Sequence, residues 1–421
     1  MSTAQRALAK PTVGCVLLDS PATLAGPGVA SLAGQPAFRV GSVDELAGVD
    51  ASAIWITTAA PNAFVREQGL RKPWLRHGLY FPTSLACLAE EIGAPAADPL
   101  QAVQHCARIA TRAVARATRC FDAAVEGELH AAVRRSETLS QALCATVSIN
   151  AARNDNARDV QEALRAAFAA PMTTSTGAAG NDLVVRLPLQ RVAHLQTVLG
   201  TPVPTGNWRE IDLGDMPDAY AWAVRQTFPV LALVSISHAS SQLAALGPRR
   251  ALRAVRAWVA HPELIALGVF ARVRIERMFA ADAYASLASL MRHAPPEMAA
   301  VDHASIGSGL FAEAFHTTLC NATPAACTVQ EGAAQKSCPS SPEPAAYSAR
   351  AAWAVSISRT QVLMEAIRLA ARDIKVIGCG LGSILVSIKR AELGHLRQAV
   401  AASSVLLFPA RHAQALAHDA S

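Results

Sequence analysis

Along residues 11–100, short apolar runs such as "VGCVLL" and "AIWITT" are separated by turns rich in Pro, Gly and Asp. Runs of that length between such breakers predict α/β structure. "FPTSLACLAEEIG" then has helical spacing, with Thr83 or Ser84 as its cap. From 101 to 170 the chain is alanine-rich and proline-free, with charges every three or four residues, which predicts helix throughout. "APMTTSTGAAGND" (170–182) predicts a loop and a domain boundary. "LVVRLPL" reads as a strand, and 201–237 as strand, turn, helix, strand. "LIALGVFARVRIER" alternates its arginines with apolar side chains, as a half-exposed strand does. Residues 279–317 predict helix, 321–344 a loop, and "AAYSARAAWAVSISRTQVLMEAIRLAARD" a long helix. The series closes on "DIKVIGCGLGSILVSIKR", where two apolar strands flank Gly378, Gly380 and Gly382. No internal repeat is present.

The chain has 421 residues, 52% of them hydrophobic and 17% charged, enough for two or three folded domains. Its mean hydropathy of +0.24 owes much to alanine. No apolar run reaches the roughly 18 residues of a spanning helix, and the first twenty residues lack an apolar signal core. A soluble cytoplasmic protein without a membrane partner is therefore expected. Net charge is +6, which permits a polyanionic partner without requiring one. Nine cysteines without repeated CxxC spacing suit reduced thiols. Cys320, Cys327, Cys338 and His316 lie too far apart in sequence to preorganise a zinc site.

Two basic stripes follow from spacing. Arg108, Arg112, Arg116 and Arg119 share one helix face, and Arg249, Arg253 and Arg256, with Arg250 beside them, repeat the interval. A guanidinium forks two hydrogen bonds to phosphate, so such faces suit DNA or RNA; equally, they keep an alanine-rich helix solvated. His238 and His303 stand beside serines, where a structural hydrogen bond is the ordinary role. The six tryptophans are scattered and form no visible stacking platform.

The glycine turn has two readings. "VIGCGLGS" approaches the GxGxxG pattern of a dinucleotide site, which needs a helix N-terminus directly after the turn. Alternatively it is a strand–turn–strand hairpin. "IKVIGCGLGSILVSI" resembles the second palm motif of protein-primed family B DNA polymerases, the phage and linear-plasmid type, with Gly380 and Gly382 at the two aspartate positions and Ser383 following. "WREIDLGDMPDAYAWAV" is similar to the first palm motif, Asp212 matching its aspartate while Met216, Pro217 and Asp218 depart from the rest. "HASIGSGLFAEAF" resembles the fingers helix, with Ser308 near the position of a basic residue. "LGHLRQAVAASSVLLFPARHAQAL" resembles the last motifs, with Ala410, Arg411 and His412 at the lysine–x–tyrosine signature.

This resemblance covers about residues 205–415 and implies a mixed α/β (α+β) architecture. An exonuclease-like α/β domain with a helical extension would occupy 1–170. A palm-like sheet would occupy 183–421, its helical fingers reduced to about 279–350. Two-metal phosphoryl transfer needs carboxylates on adjacent strands, and glycine supplies none. No D-x-D or D-x-E occurs in the chain. Asp212 is thus the one catalytic remnant, with Asp215 and Asp218 near it, or else an ordinary strand-end or capping acid. The expectation is a degenerate polymerase-like protein that binds nucleic acid, or a replication protein, through its basic helices. No cofactor is expected, Mg²⁺ being needed only if polymerase activity persists. A nucleotide-cofactor enzyme and a purely partner-binding protein are the alternatives.

Overall fold

The structure is a computed structural model that describes residues 12–81, 98–121, 123–146, 158–169, 182–214, 216–237, 256–290, 306–320, 348–380, 382–409 and 412–413. It divides into two compact units, one of residues 1–148 with 293–318, the other of 149–292 with 319–421. Within the first lie β1 (Thr12–Leu18), β2 (Gly28–Leu32), β3 (Phe38–Val40), β4 (Ala53–Thr57), α1 (Pro61–Arg66) and β5 (Leu75–His77). Helices α2 (Pro99–Arg119), α3 (Ala123–Arg135) and α4 (Leu139–Thr146) follow. The second unit holds α5 (Arg158–Ala169), β6 (Leu183–Pro188), α6 (Arg191–Gly200), β7 (Pro202–Glu210), α7 (Ala219–Val224) and β8 (Val230–Ser237). It continues with β9 (Arg256–Ala260), α8 (His261–Phe270) and β10 (Arg272–Ser286). Helix α9 (Ile306–Leu319) falls almost entirely within the first unit. The second unit then resumes with α10 (Ala349–Ala370), β11 (Lys375–Gly380), β12 (Ser383–Ile388) and α11 (Leu393–Ala401). The architecture is mixed α/β, as expected.

The first unit is built on a five-stranded sheet of order β3-β2-β1-β4-β5, with β1, β4 and β5 parallel and the β1–β2–β3 pairings antiparallel. Strands β2 and β4 are buried at every position, which is why they read as unbroken apolar runs rather than alternating ones. Gly14 is paired with Trp55 across β1 and β4, and a Cβ there would lie 2.4 Å from the indole. The missing side chain lets the fully buried Trp55 ring occupy that space. Helix α2 opens on Pro99 after Asp98, whose carboxylate accepts from the N–H groups of Leu100 and Gln101 at 3.0 and 3.2 Å. Its alanine-rich face is buried against β1 and β2, where Thr111 donates to Val13 O at 3.2 Å. The helical stretch expected over 101–170 is instead divided among α2, α3, α4 and α5.

The second unit holds two antiparallel sheets: β7-β10-β8-β9, and β11-β12-β6. One face of the first packs Val230, Ala232, Val234, Val273, Ile275 and Met278 against α7 and α8 through Ala223 and Leu264. In the second, Val185, Leu187, Ile384 and Val386 meet Val362 and Ala366 of α10 and Leu396 and Val400 of α11. Helix α10 is buried at every position from Ala349 to Arg359 and touches α5, α6, α8 and strands of both sheets. Trp353 on it meets Trp208 of β7 at 6.0 Å.

Two expectations fail here. "LIALGVF" lies in α8, with Pro262 in its first turn, and only from Arg272 does the predicted strand begin. Residues 279–286, expected as helix, complete β10, because Phe279 and Ala280 are paired on both sides, with β7 and β8. Central pairing overrides the helix preference of alanine. The expected fingers segment thus contains strand residues of one unit and helix α9 of the other. The helix expected at 81–93 lies outside the described residues, apart from Phe81.

His194 on α6 is 4% exposed and its Nδ1 is hydrogen-bonded to Gln361 Oε1 of α10. Burial holds its pKa below 6.5, Gln361 partly opposing. A base with a depressed folded pKa binds fewer protons than the unfolded chain, so its contribution to stability is complete above pH 6.5 and lost on acidification below it. Unfolding free energy should fall between pH 6.5 and 5 with a slope of up to about 1.4 kcal/mol per pH unit from this residue. Urea melts of the His194→Gln variant should show a flatter profile in that window. An unchanged profile would contradict the assignment.

Candidate nucleic-acid interface

Asp212 is exposed, two residues beyond β7, and its Oδ1 accepts from the Gly214 N–H at 2.9 Å. Asp218 accepts from Ala221 N at 2.9 Å and caps α7. Both acids are therefore engaged by backbone N–H groups, the ordinary work of aspartate in turns and caps. Asp215 lies outside the described residues. Beside this loop is a depression of about 1150 Å³, reaching from Leu213 to Tyr220 on one side and from Ala271 to Glu276 on the other. Its origin is in the register. Strand β7 pairs with β10 only from Phe279 onward, the last bond being Ile211 N to Met278 O at 2.9 Å. Beyond that point the chain leaves the sheet, so Arg272 to Ile275 and Arg277 are paired on the β8 side alone, with Glu276 at a register shift between them.

Arg272 and Arg274 are exposed and line this depression. Glu276, also in it, is paired with Arg256 at 2.7 Å and accepts from the Ser235 hydroxyl; the hydroxyl and the guanidinium hold its carboxyl below the usual range. Arg277 is committed to Glu210 at 2.5 Å and Asp159 at 2.7 Å, and its guanidinium lies 5.0 Å from the Phe279 ring. That ring stacks on Trp258 at 5.5 Å. These contacts escape a reading by residue type, although the alternation in "RVRIER" marked a half-exposed strand, and Arg272 and Arg274 lie on its exposed face.

The glycine turn is a hairpin. Gly380 is paired with Ser383 across β11 and β12, and Gly382 has φ +72° with open space where a Cβ would stand. Leu189 N donates to Gly382 O at 2.8 Å, and Arg186 Nε donates to Ser383 Oγ at 3.2 Å. Strand β12 leaves the turn directly, so no helix N-terminus is available to hold a pyrophosphate. This overturns the dinucleotide reading. The hairpin is paired with β6, whereas Asp212 follows β7 in the other sheet; strand pairing does not bring the two together. Among the described residues no group of three His, Cys, Asp or Glu is arranged to hold a metal.

The remaining candidates are dispersed. Ser308 is buried in α9, and His412 lies edge-on to Phe408 at 6.4 Å. Arg411, Arg249, Arg250 and Arg253 lie outside the described residues, as do Cys327, Cys338, His238 and His303. Arg256 stands in β9, not on a helix face, and is paired with Glu276, which corrects the second stripe at that position. Cys320 is buried, and burial pushes its thiol up to about 12. No disulfide joins the described cysteines. No helix of the described residues is long and apolar enough to cross a membrane.

The first stripe is intact. Arg108, Arg112 and Arg119 are exposed on α2, and Arg116 is half-buried with its Nε buried. Gly34 and, on α9, Gly307 approach the row so closely that a Cβ on them would lie 3.0 Å from Arg108 Cβ and 2.9 Å from Arg112 Cβ, respectively. Among the described residues no carboxylate is paired with any of the four, in contrast to Arg256, Arg277, Arg359 and Arg368. Arg119 Nε bonds only its own helix, at Ala115 O, 3.2 Å away.

Neither a protein-family profile nor a curated protein matches this sequence. Among solved structures, the chain is similar to phi29 DNA polymerase in an orthorhombic crystal form, at 9% identity and a TM-score of 0.42, over 89% of this chain and 80% of that one. The same polymerase complexed with single-stranded DNA gives a TM-score of 0.41, and with primer–template DNA 0.39, at the same identity and coverage.

Proposed function

We infer that this chain is a polymerase-like nucleic-acid-binding protein that contacts phosphates through α2 and does not itself add nucleotides. The observation that carries the binding is the row Arg108, Arg112, Arg116 and Arg119, with no carboxylate paired to it among the described residues. The row spans about 16 Å along the helix axis, comparable to four or five phosphate steps of one strand. A guanidinium already tied to a carboxylate has little to offer a phosphate; none of these four has such a tie among the described residues, although Arg119 Nε is bonded to Ala115 O and Arg116 Nε is buried. Loss of catalysis is supported by chemistry at the turn. Positions 380 and 382 carry no side-chain oxygen ligands, Asp212 is bonded to a backbone N–H, and the hairpin belongs to a different sheet from the strand that precedes Asp212. Arg272 and Arg274 offer a second set of phosphate contacts within the second unit.

A primer-extension assay with Mg²⁺, run beside a gel-shift measurement on the same primer–template, tests both halves. Retention of the DNA without any extension is expected. Templated incorporation overturns the inactivity, and absence of retention at low salt overturns the binding.

A further inference from the structure

The first unit carries an apolar trough unrelated to the arginine row. It has a volume of about 490 Å³ and lies between α1, strand β5 and the end of α3. Phe64 and Leu75 form its buried floor, with the His77 ring edge-on to Phe64 at 5.4 Å. Its walls are Val65, Leu70 and Leu79, which are 62%, 59% and 50% exposed. Single exposed apolar side chains are common on soluble proteins, but three converging on one depression form a contiguous patch, the mark of an interaction surface. With half or more of each wall in solvent, the trough is open along its length and suits a chain segment better than an enclosed small molecule.

Two features narrow the partner. Strand β5 is the sheet's last strand, yet its backbone is taken at Leu75, whose N–H donates to Lys72 O at 3.0 Å and whose carbonyl accepts from Arg76 Nη1 at 2.8 Å. Recognition there is by side chains in pockets, not by strand addition. The charged lining is net basic, with Arg134 and the exposed Arg135 at the end of α3, the buried Arg76 beneath, and Glu137 as the lone acid lining the trough. We propose that this trough docks a protein segment presenting two or three large apolar side chains flanked by aspartate or glutamate.

The test uses the full chain and a fluorescein-labelled 14-residue peptide with leucines at helical i, i+4, i+7 spacing among glutamates, against the same peptide with lysines in place of glutamates. Anisotropy should give the glutamate peptide a Kd of tens of micromolar, on the order of −6 kcal/mol, and the lysine peptide at least tenfold weaker binding. The Val65→Ser/Leu70→Ser variant, truncated at exposed positions, should melt as the parent does and lose at least tenfold. An Arg108→Ala/Arg112→Ala variant should bind the peptide unchanged, which separates this surface from the nucleic-acid reading. Equal binding of the two peptides, or indifference to the serine variant, overturns the proposal. So does a concentration-dependent dimer that the serine variant dissociates, since a second copy would then be the occupant.

Discussion

Replacing Arg359 with methionine is expected to lower the stability of the second unit by about 3–5 kcal/mol. Arg359 on α10 and Glu263 in the first turn of α8 are 5% and 8% exposed, with Nη2 2.9 Å from Oε2 and Nε 2.8 Å from Oε1. Nη2 and Nη1 also donate to the carbonyls of Ala167 and Phe168, at 2.6 and 3.2 Å, in the last turns of α5. One guanidinium thus ties three helices and satisfies carbonyls left over at a helix end. Burial pushes the Glu263 carboxyl up, against the pull of Arg359 and the Ser356 hydroxyl. Without the arginine that acid is stranded in an apolar site and must take up a proton. A Glu263→Leu/Arg359→Met double variant should recover at least half of the loss, because it removes the stranded charge while leaving the two carbonyls unpartnered. Urea denaturation followed by tryptophan fluorescence measures both. A loss below about 1 kcal/mol in the single variant would show that the cluster contributes little.

Arg76 should be nearly as costly to the first unit. It is 7% exposed and gives its donors to four carbonyls: Ser136 at 2.9 Å, Pro73 at 2.7 Å, Leu75 at 2.8 Å, and Arg134. Burial lowers its pKa. Truncation to alanine leaves acceptors at the end of α3 and around β5 without donors, a loss of about 3 kcal/mol. For a unit of this size that is a fall of roughly 6–12 °C in Tm by calorimetry. Arg76→Lys should recover little, because one ammonium cannot reach a set of carbonyls arranged for a planar fork. A lysine variant that melts with the parent would contradict this account.

Much of the fold was legible where pattern and length agree. The hairpin at 375–388 shows as two apolar runs around glycine, and α10 as a long proline-free helix. The arginine row on α2 follows from spacing alone. Helix α8 was missed because a short apolar run has no period to separate helix from buried strand, although Pro262 and Glu263 mark a helix start. The end of β10 was missed because alanine there serves central pairing. What no local pattern can show is which strands become neighbours. Asp212 and the glycine turn read as one motif set in sequence, yet the strand before Asp212 and the hairpin belong to two sheets. Likewise the scattered tryptophans include the Trp208–Trp353 contact, joined across the chain. The buried partners of Arg76 and Arg359 lie up to 192 residues away, beyond any window of sequence.

The central claim is that α2 meets nucleic acid through its four arginines. The most direct test is the salt dependence of duplex DNA binding for the parent and for a variant with alanine at 108, 112, 116 and 119, positions outside the buried set of the helix. Each phosphate contact adds about 0.9 to the slope of log K against log salt, so the variant's slope should be shallower by about three to four. Identical slopes, with affinity unchanged, would place the DNA elsewhere and contradict the account.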